Sequence, residues 1–413
     1  MLWSVLLIGC VAQLAYTLFL YPLLLVILAK WCSRPIRSET QTKRVSIIIP
    51  VRNGEEFIAE KLLSVLTLEY PKDLIEVLVV SDASTDRTES IVETFKDESV
   101  RLLRVRRGGK PAAINAAIPL TKGEILLFTD VRQTLEPDSL QYLVNCFADP
   151  KVGVVSGNLL IRRDSRRGNA NVGLYWRYEM WIRKHLSRID SIFGAVGPFY
   201  AIRRELTVPI PKEVLLDDVY LPLASFFRGY RLIVEMRARA HDYPMTLQAE
   251  FRRKVRTIAG FYQILVEYPA LFGFRNRMLF HFISYKFGRL LMPYSLAAAM
   301  VASFFVPIHE KWIILAMEGA LCALAILDPL IPHSSLLKRV SSPIRTFAVF
   351  MIATLAGLQI LFVPPRTLWK ETTIASFRGK DRSSRLSRVG RGDGDSGPNR
   401  GGCDRHAREE SYR

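Results

Sequence analysis

The 413-residue sequence predicts an α/β domain with a mostly parallel sheet, flanked by transmembrane helices. Between Val45 and about Glu250, short β-branched runs alternate with stretches of helical spacing, a pattern that places helices on both faces of a parallel sheet. Long apolar runs lie near both ends of the chain. The simplest arrangement consistent with these observations is a domain with membrane anchors before and after it in the sequence.

The first element is an amino-terminal anchor, residues 1–32. The run from Leu2 to Trp31 is almost wholly apolar, has an uncharged start and exceeds the about 20 residues that a span needs. A signal peptide would have a basic start and a shorter apolar run. Arg34 and Arg37 follow directly, and basic residues collect on the cytosolic side. We therefore expect a multi-pass protein of the cell membrane with its α/β domain in the cytosol.

The α/β domain is predicted to occupy residues 44–260. The predicted strands are Val45–Ile49 (ended by Pro50), Ile75–Val80, Val100–Val105 and Glu124–Thr129. The predicted helices are Glu55–Leu68, Asp86–Phe95 and Lys110–Ile118. In such sheets ligands bind just beyond the carboxyl ends of the strands.

The carboxyl-terminal third divides into three parts. Residues 261–289 mix aromatic and basic side chains, which suits either an amphipathic helix in the membrane interface or one packed on the soluble domain. Residues 290–364 contain about three apolar segments, near Leu290–Val306, Trp312–Ile331 and Ile344–Val363. Residues 370–413 are predicted to form a disordered basic tail. Four spans would place this basic tail outside, against the positive-inside tendency, so the number of spans stays open.

The net charge of +18 has two possible explanations. Lys and Arg neutralise phosphates in nucleic-acid binding, and they also collect at anionic membrane surfaces. Because of the apolar ends we favour the lipid bilayer and predict no nucleic-acid partner. The five cysteines are scattered and show no spacing typical of a zinc site or a disulfide framework.

Acidic and polar residues follow three predicted strands. The first strand leads into Pro50–Glu55, the second into Asp82–Thr88, and a later one into Asp130. The carboxyl ends of parallel strands meet at one edge, so these residues are expected to line one crevice. For Asp86 a role as the cap of the following helix is the favoured alternative.

At this point the sequence resembles a known family. The segments Ile47–Glu56, Val79–Asp86 and Arg107–Asn115 resemble the family 2 glycosyltransferases with the GT-A fold, in the branch of the cellulose and hyaluronan synthases. The resemblance spans roughly Val45 to Gly260 and implies a nucleotide-sugar site with an Asp, here Asp82, against the uracil of a UDP-sugar. The nucleotide-binding residues it implies are Pro50, Asn53, Glu55, Asp82, Lys110 and Arg256. A solvated position at a helix start is the alternative for Lys110.

The resemblance also implies a metal site at Asp130. This residue matches the first acid of the family's Asp-x-Asp pair, but Arg132 stands where the second is expected. Mg²⁺ often completes its shell with water and substrate phosphates, so one carboxylate with the diphosphate can hold Mg²⁺ or Mn²⁺. The alternative is that Arg132 neutralises a phosphate directly.

The segment Leu215–Pro222 resembles the family's acidic pair at a helix start. By position Asp218 matches the catalytic base and Asp217 its acidic neighbour, although acids also favour a helix amino terminus for electrostatic reasons. Farther on, Arg256 keeps the Arg of the processive Gln-x-x-Arg-Trp motif, while Arg253 and Thr257 replace its Gln and Trp. The retained cation suits a departing diphosphate, and the missing aromatic argues against long-chain polymerisation.

Taken together, the sequence predicts an inverting glycosyltransferase. It would move a sugar from a nucleotide sugar, expected to be a UDP-sugar, to a lipid-linked or polysaccharide acceptor at the cytosolic membrane face, for envelope or exopolysaccharide synthesis. The alternative is a catalytically silent relative that acts as a partner in a polysaccharide assembly complex.

Overall fold

The computed structural model describes residues 1–96, 99–162, 170–243, 247–332 and 335–368. The predicted tail, residues 370–413, lies outside the described residues, and so do the side chains of residues 170–174, 247, 308–310 and 366.

In the part of the chain that the structure describes, the domain is built on one sheet of eight strands. The strands are β1 Val45–Val51, β2 Ile75–Asp82, β3 Val100–Val105, β4 Ile125–Thr129, β5 Thr134–Leu135, β6 Val152–Ile161, β7 Phe199–Arg203 and β8 Arg231–Asp242. Their order across the sheet is β3-β2-β1-β4-β7-β6-β8-β5. Strands β1 to β4 pair in parallel, as predicted, and β6 pairs in parallel with β8, whereas β7 runs antiparallel to both neighbours and β5 antiparallel to β8.

Helices cover the sheet and extend beyond it. Those of the α/β domain are α3 Ile58–Leu66, α4 Thr88–Glu93, α5 Gly109–Ala117, α6 Ser139–Asn145, α7 Ala170–Ile189, α8 Asp217–Phe227 and α9 Leu247–Glu267. The remaining helices are α1 Leu2–Ala15 and α2 Tyr21–Trp31 at the start, and α10 Leu279–His281, α11 Gly288–Ser303, α12 Ile308–Leu327 and α13 Leu336–Ala356 toward the end.

Strand β1 corrects one detail of the sequence analysis, because Pro50 does not end it. The strand continues to Val51, with Pro50 opposite Val80 of β2. The ladder between β1 and β4 already stops at Ile48 and Phe128, so the absent N–H of Pro50 removes no bond to β4.

The amino-terminal helix serves both the membrane segment and the domain core. A π-helical turn joins α1 to α2, so the helix is continuous from Leu2 to Trp31. In its second half Tyr21 and Leu25 are fully buried in the same apolar cluster as Ile48 of β1, whereas Leu2 and Ile8 in the first half are exposed. The first half therefore presents an apolar surface, and the second half docks the helix onto the sheet.

Within the described residues, three helices are long and apolar enough to cross a membrane: Leu2–Trp31, Lys311–Leu330 and Leu336–Leu361. Helix α11 occupies the segment near Leu290–Val306 that the sequence analysis marked as apolar, and its 16 residues are fewer than the about 20 that a span needs. It continues without interruption from α10 and a π-helical segment, Phe282–Phe287, and packs along α1 through Ala299 and Ala302 against Leu7.

Candidate active site

The loops that follow β1 and β2 are fastened to each other. Asn53 adopts the left-handed conformation, with φ of 50°, and its amide oxygen accepts the N–H of Thr85 at 2.9 Å. The N–H of Glu55 donates to Asp86 at 3.0 Å, and the Glu55 carboxylate accepts the N–H of Arg87 at 3.1 Å. Predicted nucleotide-binding residues Asn53 and Glu55 thus shape the rim through loop-to-loop hydrogen bonds, and Pro50 is buried within β1 beneath it.

Asp86 was expected to cap the following helix, but the N-cap of α4 is Arg87, and Asp86 lies one residue before it. Its carboxylate accepts the N–H of Thr88, the first residue of α4, at 3.0 Å, in addition to the N–H of Glu55. These hydrogen bonds outweigh the effect of burial and lower its pKa.

Asp82, at the tip of β2, holds the loop that opens α5. Its two carboxylate oxygens accept the N–H groups of Gly108 at 2.7 Å and Gly109 at 3.0 Å. Gly109 has φ of 79°, a conformation that side chains disfavour, so a glycine suits the point at which the chain turns toward the carboxylate. This arrangement fixes the start of α5, and with it the next residue, Lys110.

Lys110 is the centre of the site. Its Nζ lies 3.0 Å from Oδ1 of Asp130, beyond the end of β4, and 3.2 Å from Oδ2 of Asp217, at the start of α8. Burial by itself would lower the pKa of Lys110, but Asp130, Asp217 and Asp218 outweigh it and raise the pKa. The lysine is therefore a permanent cation that joins two acids far apart in sequence.

One loop before β7 brings Asp218 to the same place. Pro198 accepts the N–H of Asp130 at 3.3 Å, and the N–H of Ala195 donates to the backbone oxygen of Asp218 at 2.8 Å. Between them lies Gly197, where an added Cβ would stand only 2.6 Å from Oδ2 of Asp218. The absence of a side chain at Gly197 leaves the space that the carboxylate occupies.

The adjacent acids Asp217 and Asp218 are held in an unfavourable setting for two negative charges. Burial and the charge of Asp217 raise the pKa of Asp218 to about 6, and burial also raises the pKa of Asp217, against the opposing effect of Lys110. A carboxylate with a pKa near 6 is ionised at neutral pH and is a stronger base than an ordinary Asp.

Helix α9 adds a cation above these acids. Burial lowers the pKa of Arg256, and the charge of Asp130 is the largest effect in the opposite direction. Arg253, at the Gln position of the processive motif, instead pairs with Glu250 at 2.7 Å. The hydroxyl of Thr257, at the Trp position, donates to the backbone of Arg253 at 2.9 Å.

The structure gives Arg132 a partner within the protein. Its guanidinium lies 2.6 Å from Oδ2 of Asp242 at the end of β8, and both side chains are mostly buried. The ion pair ties the loop after β4 to β8. Among the described residues, no group of three or more His, Cys, Asp or Glu is arranged to hold a metal ion.

Two buried side chains at this site were not identified in the sequence. Lys61 of α3 is fully buried, and its Nζ donates to Oγ1 of Thr129 at 2.6 Å and to the backbone oxygen of Gln133 at 2.7 Å, on either side of Asp130. Burial lowers its pKa to about 7. Tyr200 of β7 is also fully buried, with no hydrogen-bond partner for its hydroxyl among the described residues, and burial with the nearby acids raises its pKa. The position of Lys61 on the apolar face of α3 is the one feature of the sequence that could have indicated its burial.

The fold therefore brings together most of the predicted residues. Lys110, Asp130, Asp217 and Asp218 form one cluster with Arg256 beside it. Asp82 adjoins the cluster through the loop before Lys110, and the remaining predicted residues support the neighbouring rim.

Comparisons with known proteins bear on the family and the fold of the domain. Residues 46–208 match the family model described as Glycosyl transferase family 2. A beta-monoglucosyldiacylglycerol synthase from Nostoc sp. is 37% identical over 250 residues, which cover 57% of this chain and 52% of that protein. A poly-beta-1,6-N-acetyl-D-glucosamine synthase from Staphylococcus epidermidis is 26% identical over 56% of this chain and 58% of its own length.

Among solved structures, the mannosyltransferase PcManGT from Pyrobaculum calidifontis, in complex with GDP-Man and Mn²⁺, is similar with a TM-score of 0.67 and 25% identity. The match covers 86% of this chain and 99% of that one. The chain spans little more than half the length of the two curated relatives above. Residues 46–208 form a glycosyltransferase family 2 domain, and the domain has the GT-A-like α/β fold.

Proposed function

We propose that this protein is an inverting glycosyltransferase that transfers a sugar from a nucleotide sugar to a lipid-linked or polysaccharide acceptor at the cytosolic face of the cell membrane. One observation supports this proposal above the others. Lys110 joins Asp130 and the buried Asp217, directly beside a half-buried second acid, Asp218, whose pKa is raised. This is a site with cations for a diphosphate and a base for an alcohol.

The donor is proposed to lie across the tips of β1, β2 and β4. The nucleoside would lie near Asp82 and the rim of Asn53 and Glu55, and the diphosphate would lie near Lys110 and Arg256. We expect a UDP-sugar on the basis of Asp82. The similar mannosyltransferase was solved with GDP-Man, so a guanosine donor belongs in the same test.

The residues at the site fit a divalent metal ion, Mg²⁺ or Mn²⁺, held through Asp130. Its side chain is about one-third exposed, at 35%, although its Oδ1 lies 3.0 Å from Lys110. A hard cation takes oxygen ligands and accepts phosphates and waters in its shell, which suits a single protein carboxylate. When bound, such an ion would neutralise charge on the donor diphosphate. The similar mannosyltransferase was solved with Mn²⁺.

Asp218 is proposed as the general base. Its carboxylate accepts the proton of the acceptor hydroxyl as that oxygen forms a bond to the anomeric carbon of the donor sugar. The bond from the anomeric carbon to the diphosphate oxygen breaks in the same displacement, which inverts the anomeric configuration. Arg256 and Lys110 stabilise the negative charge that grows on the departing diphosphate.

The acceptor follows from the surroundings and from the relatives. Three described helices are candidate spans, so the site lies on a protein associated with a membrane. The named relatives make a glycolipid and a polysaccharide, both of which are built on alcohol acceptors. Thr257 at the position of the processive Trp favours one or a few transfers over long-chain polymerisation.

A second candidate, a catalytically silent partner in a polysaccharide assembly complex, rests on one structural observation. Arg132 occupies the position of the second metal-binding acid and is engaged by Asp242. The cluster of Lys110 with three acids supports the enzyme instead, since a silent protein has no need for two adjacent carboxylates, one buried and one half-buried, beside a cation.

A donor screen distinguishes the two candidates. The full chain, purified in lipid, is incubated with UDP-glucose, UDP-galactose, UDP-N-acetylglucosamine and GDP-mannose, each with Mn²⁺ or Mg²⁺ and with a membrane lipid extract as acceptor. The enzyme releases the nucleoside diphosphate from one donor and yields a product one sugar heavier by mass. Absence of release from every donor, in a preparation that still binds nucleotide, would favour the silent partner.

A further inference from the structure

A second group of charged residues lies away from the proposed sugar-transfer site, where α7 and α9 meet the candidate membrane helices. We name it the interfacial cation cluster. It comprises four cations around one acid and one phenol: Arg183, Lys254, Lys286, Arg289, Glu179 and Tyr175.

The contacts of the cluster converge on Glu179, which is only 4% exposed. Arg289 lies 2.6 Å, Arg183 3.1 Å and Lys286 3.6 Å from its carboxylate. Arg289 also donates to the hydroxyl of Tyr175, and the Nζ of Lys254 lies 4.2 Å from the centre of the same ring. One carboxylate is thus shared by several cations.

The cluster has more positive charge than its own acid can balance. Among the described residues, Arg183, Lys286 and Arg289 share the single charge of Glu179. The fourth cation, Lys254, lies over the ring of Tyr175, and the acid of α9 that acts on it, Glu250, is already in an ion pair with Arg253. Burial lowers the pKa of Lys286 to about 8 in spite of Glu179, and Arg183 and Arg289 contribute to the lowering. Partly buried cations in excess are expensive to keep charged, so an additional anion would be bound favourably.

The cluster lies against candidate membrane helices. Gln13 of the amino-terminal helix donates to the backbone oxygen of Gly288 at 3.0 Å, so the segment that carries Lys286 and Arg289 adjoins this candidate span. On another side, Phe350 of the candidate span α13 packs on Tyr175 with ring centroids 4.8 Å apart. The cluster therefore lies beside two candidate membrane spans.

We propose that the interfacial cation cluster binds the phosphate group of a membrane lipid. The aromatic rings of Tyr175 and Phe350 offer an apolar wall beside the cations, which suits an anion attached to acyl chains more than a free one. Cytosolic leaflets carry anionic lipids, and Arg binds phosphate through paired hydrogen bonds.

The cluster is also connected to the sugar-transfer site. Arg183 donates to the backbone oxygen of Gly194 at 2.9 Å, and it lowers the pKa of Asp218 through its charge. A lipid phosphate here would be held between the membrane and the loop of Gly194, beside the proposed catalytic base.

The test measures lipid binding by the full chain in neutral detergent. Dioleoyl phosphatidic acid, dioleoylglycerol and inorganic phosphate are titrated separately while the thermal midpoint is followed. A ligand that binds only the folded protein raises the midpoint as its concentration exceeds the dissociation constant. Phosphatidic acid should raise it, and neither dioleoylglycerol, which has the same chains, nor inorganic phosphate at equal concentration should do so.

Variants locate the effect. Lys286→Gln and Lys254→Met should each weaken the apparent affinity for phosphatidic acid about tenfold, the loss expected for one charged hydrogen bond. Lys254→Met is expected to disturb folding less, because Met keeps an apolar side chain against the rings of Tyr175 and Phe350. Glu179→Gln should strengthen binding because it removes the competing carboxylate. Arg275→Gln, at an exposed basic position outside the cluster, should leave the affinity unchanged.

Three results would overturn the proposal. An equal midpoint rise with dioleoylglycerol would assign the effect to acyl chains. An equal rise with inorganic phosphate would assign the cluster to a soluble anion. Unchanged affinity in both Lys variants, with Arg275→Gln as the reference, would place the lipid elsewhere.

Discussion

Asp218→Asn separates the proposed base from its neighbours more sharply than any other substitution. The side chain keeps its size and loses only the charge and the ability to accept a proton. General-base catalysis contributes about 10²–10⁴-fold, so turnover should fall at least about a hundredfold. Donor affinity should change little, since Lys110, Asp130 and Arg256 are untouched. The wild-type rate should itself fall as pH drops through about 6, because the base must be ionised to act.

The same substitution should make the fold more stable. The pKa of Asp218 is raised from an ordinary value of 3.8 to about 6, so the folded state disfavours its ionised form. The difference corresponds to at most about 3 kcal/mol at neutral pH. This penalty is full above pH 6, shrinks as pH falls through that value and vanishes below the ordinary pKa. Asn carries no charge, so the thermal midpoint at pH 7.5 should rise by a few degrees, at about 2–4 °C per kcal/mol.

Two assays on one preparation check this pair of effects: nucleotide release at saturating donor, and the thermal midpoint at pH 7.5. Asp73→Asn, an exposed acid on the opposite end of the sheet from the strand tips, is the matched control and should change neither. Near-normal turnover in Asp218→Asn would refute the assignment of the base. A fall in the midpoint along with turnover would show that Asp218 is a structural residue.

Further substitutions test the rest of the site. Lys110→Gln removes the cation that favours ionised acids, so the pKa of Asp218 should rise further and the fall in rate at low pH should begin at a higher pH, as a pH–rate profile would show. Gly197→Ala places a Cβ 2.6 Å from the Asp218 carboxylate and should lower turnover at least about tenfold with donor affinity retained; Gly319→Ala, where an added Cβ meets nothing within 4 Å, is its control. Arg256→Gln should lower turnover about tenfold to a hundredfold because it removes a cation from the departing diphosphate. A donor with a better leaving group should therefore increase the turnover of this variant by a larger factor than that of the wild type. EDTA should abolish nucleotide release, and Mn²⁺ or Mg²⁺ should restore it; full activity in EDTA would exclude a metal at Asp130.

The strand-and-helix part of the fold was predictable because its signals are local. Val45–Ile49 is a largely β-branched run, Val100–Val105 combines Val and Leu with two arginines, and the structure forms strands at both places. Residues at the tips of parallel strands are gathered by topology alone, so Asp82 and Asp130 could be placed at one edge before any coordinates were known. The prediction that Pro50 ends β1 is wrong. A proline interrupts a strand only where a neighbouring strand would use its N–H, and the pairing of β1 with β4 has already ended at Ile48.

Other parts of the site depend on contacts between distant residues. The pair of Arg132 with Asp242 joins residues 110 positions apart, and no spacing in the sequence indicates it. Lys61 has helical spacing with apolar neighbours, yet only the fold shows that its amine lies beneath the Asp130 loop. The engagement of Asp82 with two backbone N–H groups likewise requires the turn at Gly109. These are consequences of packing, which local sequence patterns do not encode.

In the membrane segments, too, local patterns were predictable and contacts between distant residues were not. The apolar character of Leu2–Trp31 predicts a candidate span, and the structure has that helix. The sequence did not show that Tyr21 and Leu25 are buried against the sheet, because an apolar side chain suits a lipid environment and a protein core equally well.

The central claim is that Lys110, Asp130, Asp218 and Arg256 act on one nucleotide sugar at the strand tips. An experimental structure of the full chain in lipid, with Mn²⁺ and a non-hydrolysable donor analogue, tests it most directly. We predict density for the diphosphate between Asp130 and Arg256, with the Asp218 carboxylate facing the anomeric carbon from the side opposite the leaving group. A nucleotide bound elsewhere, or a donor sugar shielded from Asp218, would contradict it.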